Sequence, residues 1–198
     1  MPAPQAHATN AAAASMSAGR ACLAGFVALV IAMGIGRFAF TPLLPLMQAA
    51  SQLDLTGGAW LASANYLGYL AGAGTVSLLR LDPKTLICAG MPLIALLTAA
   101  MSWTDHMAWW FALRFVAGVL SAWVLVGTSA WCLAELARSG RPALGGVLYA
   151  GVGTGISLAG MYCLLGAGLQ LSATTLWWHL GALAALLGAV VLLSLIHI

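Results

Sequence analysis

The chain alternates long apolar segments with short polar connections. Six segments stay mostly apolar for about 20 residues, the length that a helix needs to cross the hydrocarbon core of a bilayer. They are residues 20–48, 58–80, 85–103, 107–134, 143–169 and 174–197. The connections carry turn residues and most of the charges, in the stretches SQLDLTGG, RLDPK, WTDH, ELARSGRP and QLSAT. Since the apolar runs lack the period-two alternation of barrel strands, the pattern predicts an all-α membrane protein, a bundle of six transmembrane helices.

Composition supports this interpretation. Hydrophobic residues make up 63% of the chain and charged residues 6%, whereas soluble domains carry about 25% charged residues. The four cysteines show no CxxC spacing and each falls in an apolar segment, which indicates packing rather than metal binding. The histidines do not converge at ligand spacing, and the sequence contains no phosphate loop or nucleotide fingerprint. We therefore expect no metal, no cofactor and no enzymatic activity.

The two ends of the chain differ in character. Residues 1–19 are small, polar and rich in Ala and Pro, which predicts a disordered cytoplasmic leader. Residues 20–198 form the predicted six-helix transmembrane domain. The chain stops within the apolar sequence VVLLSLIHI, without the polar cytoplasmic loop expected after a sixth helix. We therefore expect the reading frame to continue beyond this fragment.

Basic residues in the loops predict the orientation. One side of the predicted bundle holds five of them and the opposite loops hold none, which places the N-terminus in the cytoplasm. These five are Arg20, Arg80, Lys84, Arg138 and Arg141. Six tryptophans cluster at the outer helix ends, where an interfacial aromatic belt is expected. They are Trp60, Trp103, Trp109, Trp110, Trp177 and Trp178.

Two arginines, Arg37 and Arg114, fall inside predicted spans. Each costs about 2.5–3.5 kcal/mol on insertion scales, so such residues usually face a cavity or a partner. Helical spacing places small and polar residues on the same faces, and we predict that these faces line a shared substrate path. The candidates are Arg37 and Arg114, with Gly34, Thr41, Asn65, Tyr69, Gly118 and Ser121 beside them.

The acidic residues lie outside the apolar parts of the spans. Asp54, Asp82, Asp105 and Glu135 sit in loops or at a cytoplasmic helix end, so no intramembrane carboxylate neutralises either arginine. Two hypotheses fit this absence. The path binds an anion such as an organic carboxylate, or a carboxylate arrives from a part of the protein outside this chain.

Small residues and prolines predict how the helices pack. Gly151, Gly155 and Ala159 recur every four residues in the fifth helix, a ridge that lets a neighbouring backbone approach closely. Gly68 and Gly72 stand in the same relation in the second helix. We expect prolines to kink the outer end of the first helix and the middle of the third; these are Pro42, Pro45 and Pro92.

Several segments resemble a known family. The runs GIGRFAFTPLLPLM, from Gly34 to Met47, and WLASANYLGYLAGA, from Trp60 to Ala73, resemble the YbfB/YjiJ-type branch of the Major Facilitator Superfamily. RFVAGVLSA, which begins at Arg114, is similar to that superfamily's Arg-x-x-x-Gly motif, whose arginine is implicated in coupling in proton-driven members. The fifth helix resembles a degenerate antiporter motif at Gly146, Gly155, Ala159 and Gly160, and RLDPK, with Asp82, resembles a remnant of the signature between helices 2 and 3.

This resemblance implies a twelve-helix secondary transporter of the bacterial inner membrane, built from two parallel six-helix halves with the site between them. The chain would supply the N-terminal half and move a small organic solute by alternating access, possibly coupled to a proton. Helix-packing or gating roles would fall to Gly146, Gly151, Gly155, Gly160 and Asp82.

Two alternatives have different consequences. A rhomboid-type serine protease is suggested by Ser129 and His179, but these residues lie roughly 25 Å apart along the membrane normal at about 1.5 Å per helical residue. We therefore interpret Ser129 as a packing hydroxyl and His179 as part of the interfacial belt. The second alternative is a complete six-helix protein that works as a homodimeric small transporter or as a membrane scaffold.

Overall fold

The computed structural model describes residues 18–50, 53–79 and 81–196. Regular structure in these ranges is entirely helical, and the predicted all-α fold class is confirmed. Most of the predicted leader, residues 1–17, lies outside the described residues, and Ala18 is already helical. The helices are α1 (Ala18–Ala49), α2 (Leu55–Leu79), α3 (Pro83–Ala100), α4 (Met107–Arg138), α5 (Gly145–Gly168, after a 3₁₀ turn at Pro142–Leu144) and α6 (Ala173–Ile196).

Five of these helices are long and apolar enough to cross a membrane. The sixth, α2, is long enough at 25 residues and carries no charged side chain. It is less apolar than the others, because Gly, Ser, Asn and Tyr occupy much of its middle. The six predicted helices are therefore present, but the composition of α2 alone does not identify it as a span.

Glycines bring α2 and α4 together. A methyl group added at Gly68 would collide with the backbone carbonyl of Phe115, and one at Gly72 would lie 2.5 Å from the carbonyl oxygen of Val119. Gly118 of α4 makes the reciprocal approach to the backbone of Asn65. Small residues allow such backbone contact between membrane helices, so they set the spacing of this pair.

A second glycine contact joins α1 to α5. Gly151 lies against the backbone of Phe26, and Gly155 lies against Gly34 and Val30. The small-residue ridge of the fifth helix therefore packs directly on the backbone of the first. Gly146 and Gly160 have no atom within 4 Å of an added methyl group, so a packing or gating role for these two stays a prediction.

The helix α1 is irregular near its prolines. Residues Val30–Phe38 form a π-helical stretch, and a regular α-helix resumes at Phe40–Ala49 with Pro45 inside it. Pro42 stands just after the π-helical stretch, where its missing N–H removes one backbone donor. The sequence predicted a kink at Pro42 and Pro45 but not the π-helical turns before it.

The ends of other helices follow local rules. Asp82 is the N-cap of α3 and accepts a hydrogen bond from the backbone N–H of Thr85 at 3.1 Å. Pro83 follows it at the first helical position, where its missing N–H costs nothing. Asp82 therefore has a local capping role; a gating role for it stays a prediction.

The predicted aromatic belt is only partly correct. Trp110 and Trp177 are each 2% exposed, and the indole N–H of Trp110 donates to the backbone carbonyl of Met101 at 3.0 Å. Both are core residues, because their helix faces point into the bundle. The four tryptophans that are exposed, as a belt requires, are Trp60, Trp103, Trp109 and Trp178.

Candidate functional site

Arg114 is buried between α4 and α1. Its side chain is 4% exposed. The Nη1 group donates to the backbone carbonyl of Gly36 at 3.1 Å, and Nη2 donates to that of Arg37 at 2.9 Å. The guanidinium also lies 4.9 Å from the ring centroid of Phe40, within cation–π range. Arg114 therefore uses both ends of its fork to hold the backbone of α1.

The irregularity of α1 explains why these carbonyls are open to Arg114. In a π-helix, a carbonyl is bonded by the N–H five residues later. For the carbonyl of Arg37 that residue is Pro42, which has no N–H to donate. A buried carbonyl without a donor is unfavourable, and the Arg114 guanidinium supplies one. The local sequence of α1 and the arginine of α4 therefore form one structural unit.

Asn65 ties α2 to the same point. Its Nδ2 group donates to the backbone carbonyl of Arg114 at 2.9 Å, and the side chain is 2% exposed. Gly118, one turn further along α4, leaves room for the backbone of Asn65 to approach. The hydroxyl of Ser121 lies 2.9 Å from the carbonyl oxygen of Ala32 in α1. Three helices thus meet around Arg114 through polar contacts.

Arg37 has different surroundings. Its guanidinium carbon lies 3.8 Å from the ring centroid of Tyr69, 5.0 Å from that of Tyr66 and 5.5 Å from that of Phe38. The Nε and Nη1 atoms are buried without a hydrogen-bond partner. Arg37 is therefore a cation enclosed by aromatic faces that retains donors with nothing to bond.

A small cavity lies between the two arginines. Its volume is about 30 Å³. A cavity needs about 10–15 Å³ to hold one water molecule, so this space fits a water or two and excludes an organic solute. The lining residues are Arg37, Phe38, Phe40, Thr41, Ala62, Asn65, Tyr66 and Arg114.

The structure brings most of the predicted path residues together. Arg37, Arg114, Thr41 and Asn65 line the cavity, and Tyr69 stacks on Arg37. Gly118 and Ser121 lie at the helix contacts beside it, while Gly34 lies against Gly155 of α5. The predicted face of α1 assumed regular α-helical spacing, and the π-helical turns rotate Gly34 away from Arg37. Their functional roles remain proposals.

Three aromatic residues of this site were missed by the sequence reasoning. Phe38 and Phe40 flank Arg37 in the chain, and Tyr66 lies next to Asn65. Their proximity to polar candidates was the available signal. It was discounted because apolar and aromatic residues are the ordinary content of membrane helices.

The acidic residues that the structure describes make contacts away from the cavity. Asp54 accepts from the backbone N–H of Gly57 at 2.7 Å, and Glu135 pairs with Arg138 at 2.9 Å. Neither acid lines the cavity. The described surroundings of Arg37 and Arg114 are therefore cationic and aromatic.

The two residues that suggested a protease bond to different tyrosines. The hydroxyl of Tyr149 donates to Ser129 at 2.8 Å, and the hydroxyl of Tyr162 lies 2.6 Å from Nδ1 of His179. Within the described ranges no cluster of His, Cys, Asp and Glu could hold a metal ion. The cavity between the arginines is therefore the best candidate site.

Comparison with known proteins places this arrangement in a family. A family model described as "Uncharacterised MFS-type transporter YbfB" matches residues 29–198. No curated protein and no solved structure matches the chain. The matched range includes both arginines, the π-helical turns and all six helices except the start of α1. The chain therefore belongs to the YbfB-type family of Major Facilitator Superfamily transporters, which are multi-pass membrane proteins.

Proposed function

We propose that this chain is one six-helix half of a secondary transporter that carries a small organic anion across the bacterial inner membrane by alternating access. The observation that carries the proposal is the pair of buried, unpartnered nitrogens of Arg37, Nε and Nη1. A buried donor without a partner is costly, and a buried charge without a counter-charge is more so. An anionic oxygen would satisfy both requirements at once.

The two arginines would have different tasks. Arg114 already uses Nη1 and Nη2 on the carbonyls of Gly36 and Arg37, so it has little left to offer a solute. We assign it the role of positioning the segment of α1 that presents Arg37. Arg37 itself would bind the carboxylate, since a guanidinium matches a carboxylate in both charge and geometry.

The size of the cavity supports a mechanism with a closed state. At about 30 Å³ the space beside Arg37 does not admit an organic acid, so binding requires the surrounding helices to separate. Tyr66, which covers Arg37, is 57% exposed, and Thr41 of the cavity lining is also exposed. The site thus lies near an open face of the bundle, where a second six-helix unit would complete the path.

Ligand-induced stabilisation of the purified protein tests this proposal. Succinate and benzoate serve as probes and succinamide as the neutral control, with thermal unfolding as the readout. Binding to the folded state alone raises stability by about 2.7 kcal/mol at 100 times the dissociation constant. We expect a carboxylate, but not the amide, to raise the unfolding temperature of the wild type. Arg37→Gln and Arg37→Glu should lose the effect and Arg37→Lys should keep part of it.

Arg20→Gln is the matched control. Arg20 lies in the same helix and is exposed, so its substitution removes an equal charge away from the cavity. Anion stabilisation that persists in Arg37→Glu, or that disappears equally in Arg20→Gln, would show that Arg37 is not the anion site. If Arg37→Gln does not fold, the comparison of Arg37→Lys with the wild type gives the same answer.

A further inference from the structure

A histidine and a tyrosine link the last two helices. Nδ1 of His179 in α6 lies 2.6 Å from the hydroxyl oxygen of Tyr162 in α5. The two ring centroids are 6.2 Å apart and the planes are tilted by 59°, so the rings meet through the hydrogen bond rather than by stacking. α5 and α6 make few other direct contacts, and this bond bridges them.

The depth of the pair makes an ionisable group notable. His179 is the seventh residue of α6, which places it about 9 Å along the helix from its first residue. The polar region of a bilayer leaflet is roughly 5–7 Å thick. His179 therefore lies at the edge of the hydrocarbon layer, on the side predicted to face outward. An ionisable residue at such a depth usually has a function.

The neighbouring helices offer no competing charge at this end. The outer segment of α1, Phe40–Ala49, packs against both α5 and α6 and contains no titratable side chain. The titratable residues of α3 are Lys84 and Cys88 near its opposite end. Arg37 of α1 faces the tyrosines of α2 instead.

The titratable residues of α5 itself are its tyrosines and one cysteine. Tyr149 lies near the start of that helix and bonds to Ser129. Cys163, next to Tyr162 in the chain, is 1% exposed and belongs to the core. Tyr162 is therefore the titratable group that contacts His179.

The chemistry of this partner suits a proton. A tyrosine hydroxyl both donates and accepts. It can donate to the unprotonated Nδ1 of a neutral imidazole, and it can accept from the N–H of an imidazolium. The bond therefore survives protonation with its direction reversed. A backbone carbonyl in the same place could only accept, and it would require Nδ1 to stay protonated.

We propose that the Tyr162–His179 pair is a proton-binding site of this six-helix unit, loaded from the outer aqueous phase. The step is the addition of one proton from water to an imidazole nitrogen of His179, with no other bond formed or broken. Histidine is the side chain whose charge ordinarily changes between about pH 5 and 8. The described histidines are His106, in a loop, and His179, in a span. Coupling of this proton to solute movement rests on the proposed transport function; the binding itself does not.

Nuclear magnetic resonance of the full chain with ¹⁵N-labelled histidine, reconstituted in lipid nanodiscs, tests the site. The chain contains four histidines, and His179→Asn identifies the signals of His179 by their loss. We expect this ring to pass from neutral to cationic between about pH 8 and 5. Nδ1 should remain hydrogen-bonded at both extremes. The wild type should take up one more proton per chain than His179→Asn in this range.

Two further variants separate the proposed pair from an ordinary surface histidine. Tyr162→Phe removes only the hydroxyl, and it should weaken proton binding at His179 about fivefold, because hydrogen bonds to charged groups are the stronger ones. His106→Asn removes a loop histidine and should leave the His179 signals unchanged.

The inference is overturned if the His179 ring stays neutral down to pH 5, if it leaves Tyr162 on protonation, or if Tyr162→Phe has no effect on its titration. These measurements need no solute. Their failure is thus distinct from a failure of carboxylates to bind at Arg37.

Discussion

A methyl group at position 72 tests the proposed packing of α2 on α4. The added carbon of Gly72→Ala would lie 2.5 Å from the carbonyl oxygen of Val119 and 2.9 Å from Cβ of Ala122. Ordinary contact begins at 3.4 Å, so the carbonyl is roughly 0.9 Å too close. The obstacle is backbone rather than a flexible side chain. The two helices must therefore move apart to admit the methyl group.

The expected magnitude follows from two opposing effects. Overpacking a close contact costs about 1–3 kcal/mol, while replacing Gly by Ala in a helix interior contributes up to about 1 kcal/mol. Gly74→Ala isolates the second effect, because Gly74 lies in the same helix with no atom within 4 Å of the added methyl group. The two variants should therefore differ in free energy of unfolding by about 1–3 kcal/mol, with Gly72→Ala the less stable.

Equilibrium unfolding in mixed micelles of a mild detergent and sodium dodecyl sulfate, followed by circular dichroism, measures this difference. A second readout lies at the same interface: the indole N–H of Trp123 donates to the hydroxyl of Thr75 at 2.9 Å. Separation of α2 from α4 should weaken that bond and change the fluorescence of Trp123. If Gly72→Ala is as stable as Gly74→Ala, the close approach at Val119 is wrong.

Three further predictions use the same unfolding assay. Asp82→Ala should lose about 1 kcal/mol through removal of the α3 N-cap, whereas Asp82→Asn should be nearly neutral because Asn caps as well as Asp; equal losses would contradict the capping role. Trp110→Phe should cost about 1–3 kcal/mol because it leaves a buried carbonyl unbonded, and the exposed Trp109→Phe should have little effect; the reverse order would refute the assignment. Arg114→Lys should lose about 1–3 kcal/mol because one ammonium cannot replace the fork on two carbonyls, while Arg138→Lys on the surface serves as its control.

The positions of the helices could be predicted closely from the sequence. The fourth helix was expected at 107–134 and spans Met107–Arg138, and the second was expected at 58–80 and spans Leu55–Leu79. This agreement has a physical cause: hydrocarbon leaves each backbone N–H and C=O to be satisfied within its own segment. An apolar run of sufficient length therefore determines a helix without reference to the rest of the chain.

The sequence also identified the arginines, because a charge inside an apolar run is conspicuous by itself. It could not separate their environments. Arg114 bonds to carbonyls of α1 and Arg37 stacks on a tyrosine of α2, and these contacts join residues far apart in the chain. The π-helical turns of α1 also invalidate the regular spacing on which the placement of Gly34 depended.

The sequence by itself determined the solvent, the class of structure and the number of helices, since all three follow from local composition. Only the tertiary structure decided which tryptophans are core residues, which arginine retains unpartnered donors, and that Tyr162 meets His179. These properties depend on how the helices rotate and pack against one another. Small residues such as Gly72 and Gly155 set that packing through contacts with other helices, which no local pattern contains.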